Sequence, residues 1–404
     1  MTTIETERRH LIALRPAALF DGIRSTLLAD PMVLVDRGRI VAVEAGRVEP
    51  PQHAAVVDLP GTTLLPGLID THVHLAFDAG PDPIATLEAS DDDTLLAAMA
   101  RAARLALQAG VTTVRDLGDR NYLALRLRAE HDASDALPTI VAAGPPITTP
   151  GGHCGFLGCT ARGADAVRAA VAEHAGHGVD AIKVMASGGF LTPGSAGHLP
   201  QYGPGELRVI VDEAHRHGLP VTAHAHSTAS IAAALDAGVE GIEHCSFLTP
   251  DGADAPADLV SRIARRRVAI GPTLGALPGF EPPPAIARLL DTRWANLGRL
   301  HRAGVQILAA TDAGIGPMKP HDVLPYAVEH LVQAGLTNHE ALRAITLEAA
   351  RVCGLGDRKG RIAAGFDADL AAVKGDPLTD PAALHRVVAV YHQGYRVSRG
   401  RSDR

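Results

Sequence analysis

One junction recurs through the middle of this chain: a helix-forming run stops at glycine, and a valine- or isoleucine-rich run starts at the next residue. It appears as Ala109-Gly110-Val111, Ala237-Gly238-Val239 and Ala303-Gly304-Val305, with variants at Gly178-Val179 and Gly218-Leu219. Glycine just past a helix end can take the left-handed conformation that closes the last turn. A strand that begins within a residue or two leaves room only for a short αβ loop. A chain that alternates helix and strand in this way builds a parallel sheet covered by helices.

Apolar runs predict eight strands near 65–72, 111–117, 139–144, 179–185, 220–225, 239–245, 268–274 and 306–312. Helical spacing fills the intervals near 94–109, 164–176, 206–217, 228–237, 257–267, 292–303, 323–334 and 338–353. Leu207, Ile210, Val211 and Ala214 share one helix face, and Ser227 is a natural N-cap for the helix that follows it. Eight parallel strands can close into a (β/α)8 TIM barrel. A doubly wound open sheet is the alternative, but no GxGxxG loop follows the first strand. The flanks differ. Residues 32–43 alternate around an Asp-Arg-Gly-Arg turn, and 369–374 with 386–397 read as further strands. The expected α/β organisation is therefore a barrel over 64–356, with a small β-sandwich domain formed from both termini, 1–63 and 357–404. The proline-rich patch at 281–284 reads as a loop.

Composition narrows the function classes. A chain of 404 residues with 46% apolar content can bury one large core and a satellite. A net charge of −7 gives no basic stripe for nucleic acid and no polybasic patch for a membrane, so a small-molecule substrate is expected. No apolar run is long enough to span a bilayer, and the polar stretch Met1–His10 has no signal-peptide core. Four scattered cysteines do not make a disulfide framework. These points predict a cytoplasmic protein; a homo-oligomer is the expected assembly.

The strand ends carry the chemistry. The first strand gives His72-Val73-His74, and residues two apart point to one face, so both imidazoles can hold a metal. The fourth places Lys183 between Ile182 and Val184. A buried lysine must find a partner, such as Asp116 or Asp119, or lose its charge. A neutral amine that has captured carbon dioxide becomes a carbamate, which can bridge two cations. The fifth strand ends His224-Ala225-His226, the sixth Glu243-His244 and the eighth Thr311-Asp312-Ala313. All of these converge on the C-terminal face where barrel enzymes keep their active sites. Together they predict a metal site.

These motifs resemble those of the amidohydrolase superfamily in its binuclear form. Its first-strand signature is similar to Leu-Leu-Pro-Gly-Leu-Ile-Asp-Thr-His-Val-His-Leu at 64–75. Further likeness lies at 109–116, 183–189, 224–226, 243–244, 311–313 and 360–370. Within it the chain looks most like the prolidase-like branch of Xaa-Pro dipeptidases and ochratoxin-hydrolysing amidases. By that resemblance His72, His74 and Asp312 hold the more buried metal, His224 and His244 hold the other, and carboxylated Lys183 bridges them. Spacing alone does not separate His224 from His226.

The resemblance implies hydrolysis by a metal-bridging hydroxide, with two divalent metal ions. Zinc is expected, because histidine nitrogen suits it. Asp312 is the expected proton shuttle. His226 and Tyr202 are expected to act in catalysis and to touch substrate, and His153 to bind a substrate carboxylate or carbonyl. Arg115 and Asp116 read as a mutual salt bridge, and Cys245 as packing. The expected substrate is an amide with a free carboxylate, a dipeptide or an N-acyl amino acid. Lactone, carbamate or cyclic-amide hydrolysis is the alternative on the same site. A non-catalytic, metal-free scaffold would require a missing ligand, and none is missing.

Overall fold

The computed structural model describes residues 11–130, 137–281 and 284–398. Met1–His10, on which the reading of the N-terminus rested, lies outside them, as do 282 and 283 of the proline-rich patch. Just after those two, Pro284–Ala287 forms one helical turn.

The N-terminal strands are β1 (Leu11–Leu19), β2 (Leu28–Ala29), β3 (Met32–Asp36), β4 (Arg39–Glu44) and β5 (Ala55–Pro66). The central strands are β6 (Leu68–Val73), β7 (Val111–Asp116), β8 (Thr139–Ala142), β9 (Ile182–Met185), β10 (Val221–Ser227), β11 (Gly241–Thr249), β12 (Gly252–Ala253) and β13 (Ala269–Gly271). The chain returns through β14 (Leu370–Lys374), β15 (Val387–His392) and β16 (Tyr395–Arg396).

The centre has a TIM-barrel-like α/β fold. β6, β7 and β8 pair in parallel, as do β9, β10, β11 and β13. The two sets meet where Asp180 N donates to Ala142 O at 2.9 Å and Ile147 bridges Val184. The eighth strand expected at 306–312 is not a continuous ladder. It touches β13 through Ile307 and β6 through Ala313, with Asp312 N donating to His72 O at 2.8 Å. Asp312 adopts left-handed backbone (φ 63°), which breaks regular pairing there.

Helices run between the strands where helical spacing placed them. Ser227 caps Thr228–Ala237 by accepting from Ser230 N, and Gly238 closes that helix at φ 98°. The helix expected over 338–353 is two, Asn338–Ala344 and Leu347–Val352. The break at Ile345 leaves its carbonyl to accept Ile69 N of β6 at 2.8 Å. Helices Pro83–Ala89 and Leu123–Glu130 were not foreseen. Val114, Ile182, Val184, Ile242 and Ile270 pack beneath Met99, Ile210, Ile231 and Ile263 in one buried core.

Strands from both ends join in one sheet, in the order β16-β15-β14-β5-β1-β3-β4. It rolls over an apolar cluster of its own that includes Leu14, Val35, Ile40, Leu64, Leu370 and Tyr391. The far hairpin meets the return segment where Ile40 N donates to Phe366 O and Ala368 N to Gly38 O. β5 pairs with β14 and β1, then runs within two residues into β6, so the sheet is anchored to the start of the barrel. Among the described residues, no helix is long and apolar enough to cross a membrane.

Candidate metal centre

His72, His74, Lys183, His224, His226, His244 and Asp312 line one cavity, joined by His153. At the end of β6 the Nε2 atoms of His72 and His74 lie 3.3 Å apart. Asp312 Oδ1 is 3.4 Å from the first and 3.2 Å from the second. His224, His226 and His244 form a second group, their ligand atoms all within 4.8 Å of one another, as are those of the first group. Lys183 Nζ stands 3.5 Å from His72 Nε2. Neither Asp116 nor Asp119 pairs with it; Asp116 accepts Leu75 N at 2.8 Å and Gly118 N at 3.0 Å.

Partners behind the ligands orient their rings. His72 Nδ1 is 3.0 Å from Glu243 Oε2, His74 Nδ1 is 2.9 Å from Gly118 O, and His244 Nδ1 is 3.0 Å from Thr273 Oγ1. The Glu243 carboxylate and Gly118 O can only accept, so His72 and His74 carry a proton on Nδ1 and leave Nε2 to offer its lone pair. The Thr273 hydroxyl, able to donate or accept, orients the His244 ring without setting its tautomer. Arg115 does not pair with Asp116. Neighbours on a strand point to opposite faces, and its guanidinium instead reaches Glu243 Oε1 at 2.9 Å. Glu243 was not singled out, because alternation would aim it away from His244. Left-handed backbone at His244 (φ 66°) turns the strand so that both adjacent side chains approach His72.

Electrostatics favour neutral imidazoles beside a charged carboxylate at every histidine of the two groups but His74, which burial would lower but which the hydrogen bond and charge of Asp312 raise above its ordinary value. Burial, reinforced by the Lys183 charge, pushes His72 down to about 4. Burial and the neighbouring histidines hold His224 and His244 well below the usual range. Burial and the His153 charge bring His226 to about 3. Burial alone would raise Asp312, but the His72 charge and the hydrogen bond to His74 outweigh it and hold the carboxyl well below its ordinary value. Burial is also the main reason that Lys183 falls to about 8. Nitrogen and carboxylate donors in two groups of three fit divalent cations, with His74 giving up its proton as the cation binds.

Other expectations divide. His226 sits in the cavity wall, its ring stacked on His244 and its Nδ1 3.0 Å from Ser246 Oγ. The His153 ring lies 4.7 Å from that of His224. Tyr202 is a correction: its hydroxyl is buried and donates to Ala161 O at 2.7 Å, so it is spent on the loop and does not reach the cavity. Of the few aromatics, Phe77 and Phe190 line the cavity, whereas Phe156 and Trp294 do not. Cys245 is buried, as packing predicts. Arg293 and Lys319 line the cavity and were missed, since each lies away from the strand-end motifs.

Comparison with known proteins decides the family. The model of the Amidohydrolase family matches residues 63–397. The chain belongs to this family. This amidohydrolase is 29% identical over 371 residues to an ochratoxinase of Aspergillus niger, covering 81% of this chain and 74% of that one. The structure of a Xaa-Pro dipeptidase with bound methionine superposes at a TM-score of 0.86 and 27% identity, covering 96% of this chain and 99% of the other. A prolidase complexed with N-methylphosphonate-L-proline superposes at 0.84 and 28%, covering 96% and 100%. The family is one of metal-binding hydrolases, and this member, on the prolidase-like side of it, is a hydrolytic enzyme that acts on C–N bonds of small molecules.

Proposed function

We propose that this amidohydrolase cleaves an amide bond in a dipeptide or N-acyl amino acid that carries a free carboxylate. What carries the reading is the gathering of two three-residue donor groups and Lys183 in one buried cavity. The likeness to an ochratoxinase and a Xaa-Pro dipeptidase supports the substrate class. The same reading takes 64–356 as a (β/α)8 barrel whose last segment is held by bridges, and 1–63 with 357–404 as a small β-sandwich.

His72, His74 and Asp312 would hold one divalent cation and His224 and His244 a second, with zinc the best match to these donors. When bound, the pair supplies Lewis acidity that makes water nucleophilic near neutral pH and polarises the scissile carbonyl. Lys183 in its neutral form attacks the carbon of carbon dioxide, forming an N–C bond and releasing a proton. The resulting carbamate would add an anionic oxygen donor to those that hold the cations. Asp312 takes the proton of the attacking water and returns it to the leaving nitrogen as the C–N bond breaks. His226, fixed by Ser246, orients the substrate carbonyl. His153 closes the wall beside His224.

The test is a screen of dipeptides, N-acyl amino acids, carbamates and lactones with the metal-loaded protein, alongside metal analysis. Turnover of free-carboxylate amides is expected, with about two metal equivalents per chain. Turnover of lactones or carbamates alone would shift the reading to those substrates. Full activity in protein stripped of metal by a chelator would refute the mechanism.

A further inference from the structure

We propose that Arg293 receives the substrate's carboxylate and so makes the enzyme selective for free acids, a step that rests on the amide-hydrolase reading above. Arg293 lies in the first turn of the helix Leu290–Arg302 and lines the cavity together with His226, His244 and Asp312. Its Nη2 is tied to the backbone: it donates to Pro272 O, to Thr273 O at 3.3 Å and to Thr273 Oγ1 at 3.4 Å. The same Thr273 hydroxyl contacts His244 Nδ1, so the guanidinium is set at a fixed place relative to a ligand. Its Nε is buried and has no hydrogen-bond partner among the described residues.

Arg115, a fully buried arginine of the barrel, differs from it. Arg115 has Glu243 at 2.9 Å, whereas no carboxylate among the described residues lies within ion-pair distance of Arg293. A half-buried guanidinium whose Nε is buried and idle, with no carboxylate in ion-pair contact, is costly to keep. The ligand that suits this planar fork, with Nη2 already spent on Pro272 and Thr273, is a carboxylate held by a charge-assisted hydrogen bond from a remaining donor.

Competing receptors are weaker on the same observations. Lys319 also lines the cavity, but it already gives its ammonium to the carbonyls of Thr273, Gly275 and Thr311, at 3.1, 3.0 and 2.5 Å. Three donors on three carbonyls leave none for a ligand. His153 likewise has a buried ring nitrogen, Nδ1, without a partner among the described residues, but an imidazole carries no fixed charge, whereas a guanidinium stays charged at any working pH. Beyond Arg293 the cavity is apolar, with Phe190, Leu248, Leu289 and Ile315 in its wall. The substrate class is thus an N-acyl or N-aminoacyl amino acid with an apolar side chain near its carboxylate.

The experiment compares the metal-loaded enzyme on matched substrate pairs, one ending in a free carboxylate and the other in a carboxamide. Wild-type kcat/KM is expected to favour the acid by roughly 100-fold. In Arg293→Gln the ratio should fall by about tenfold or more, through a raised KM for the acid. Arg293→Lys keeps charge but loses the fork, and its ratio should fall between the two. A purely structural loss would lower both substrates together and leave the ratio intact; that result overturns the assignment. So does a wild-type enzyme indifferent to the end group, which keeps the proposal open to refutation if Arg293→Gln does not fold. Failure of the wild type on every free-carboxylate amide is a different outcome, since it removes the proposed function itself.

Discussion

Glu243 Oε2 lies 3.0 Å from His72 Nδ1, with both side chains buried, and the other carboxylate oxygen takes Arg115 at 2.9 Å and Thr222 Oγ1 at 2.8 Å. Burial would raise this carboxyl, yet the Arg115 and His72 charges bring it down to about 2, so it is ionised at any pH where the enzyme works. It therefore holds His72 in one tautomer and aims Nε2 into the cavity.

Glu243→Gln keeps the volume and removes the charge. Metal affinity of the cavity should drop by about 10- to 100-fold, the usual effect of losing a partner that orients a ligating histidine. A competition titration against a chelator reads this directly. Wild-type affinity in the variant would mean that His72 needs no such support.

Asp312→Asn separates proton transfer from folding. The backbone at Asp312 is left-handed (φ 63°), a conformation that asparagine tolerates better than most residues. The fold should survive, with far-UV circular dichroism unchanged. Turnover should fall by roughly 100- to 10,000-fold, the range for loss of a general acid–base. A variant that turns over at the wild-type rate removes Asp312 from the proton path.

Much of this geometry was legible in sequence because period-2 alternation and barrel topology act together. His72 and His74 share a face, Ser227 caps its helix, and the glycine junctions mark the helix ends. What stayed hidden is where the backbone departs from regularity. Positive φ at His244 brings Glu243 inward, and the same feature at Asp312 reduces the last strand to bridges. Arg293 and Lys319 reach the cavity from a helix and a loop, where no strand period places a side chain. Tyr202 was misread because a loop tyrosine near a site carries no sign of whether its hydroxyl is already taken, here by Ala161.

Two neighbouring glycines should respond differently to alanine. At Gly189 an added Cβ would sit 2.3 Å from His153 Nε2, the end of a side chain that can swing away. At Gly188 it would meet the Ala196 carbonyl oxygen at 2.4 Å, which is backbone and cannot yield as easily. Gly189→Ala should keep its stability and shift KM several-fold by displacing the His153 ring. Gly188→Ala should lose about 1–3 kcal/mol in urea unfolding, typical of overpacking. Equal losses of stability in both would show that His153 is as fixed as the backbone.

Asp369 links the rolled sheet to pH. Its carboxylate is buried, meets Lys359 Nζ, accepts Gln393 N at 2.7 Å and lies 3.1 Å from His392 Nδ1. Burial opposes the charged form, but His392 and Lys359 outweigh it and hold the carboxyl well below its ordinary value. A folded pKa below the unfolded one, about 3.9 for aspartate, gives stability that is fully present above that pH and drains as pH falls through it. Metal-stripped protein should therefore lose stability between about pH 5 and pH 3. Asp369→Asn should be about 2–4 kcal/mol less stable than wild type near pH 7, because Lys359 loses one of its two buried carboxylates. The gap between the two proteins should narrow as the medium is acidified, since protonation removes from the wild type what the variant already lacks. Urea unfolding across that range gives the answer: a gap that stays constant with pH would mean that Asp369 stabilises the sheet by shape and hydrogen bonding rather than by its charge.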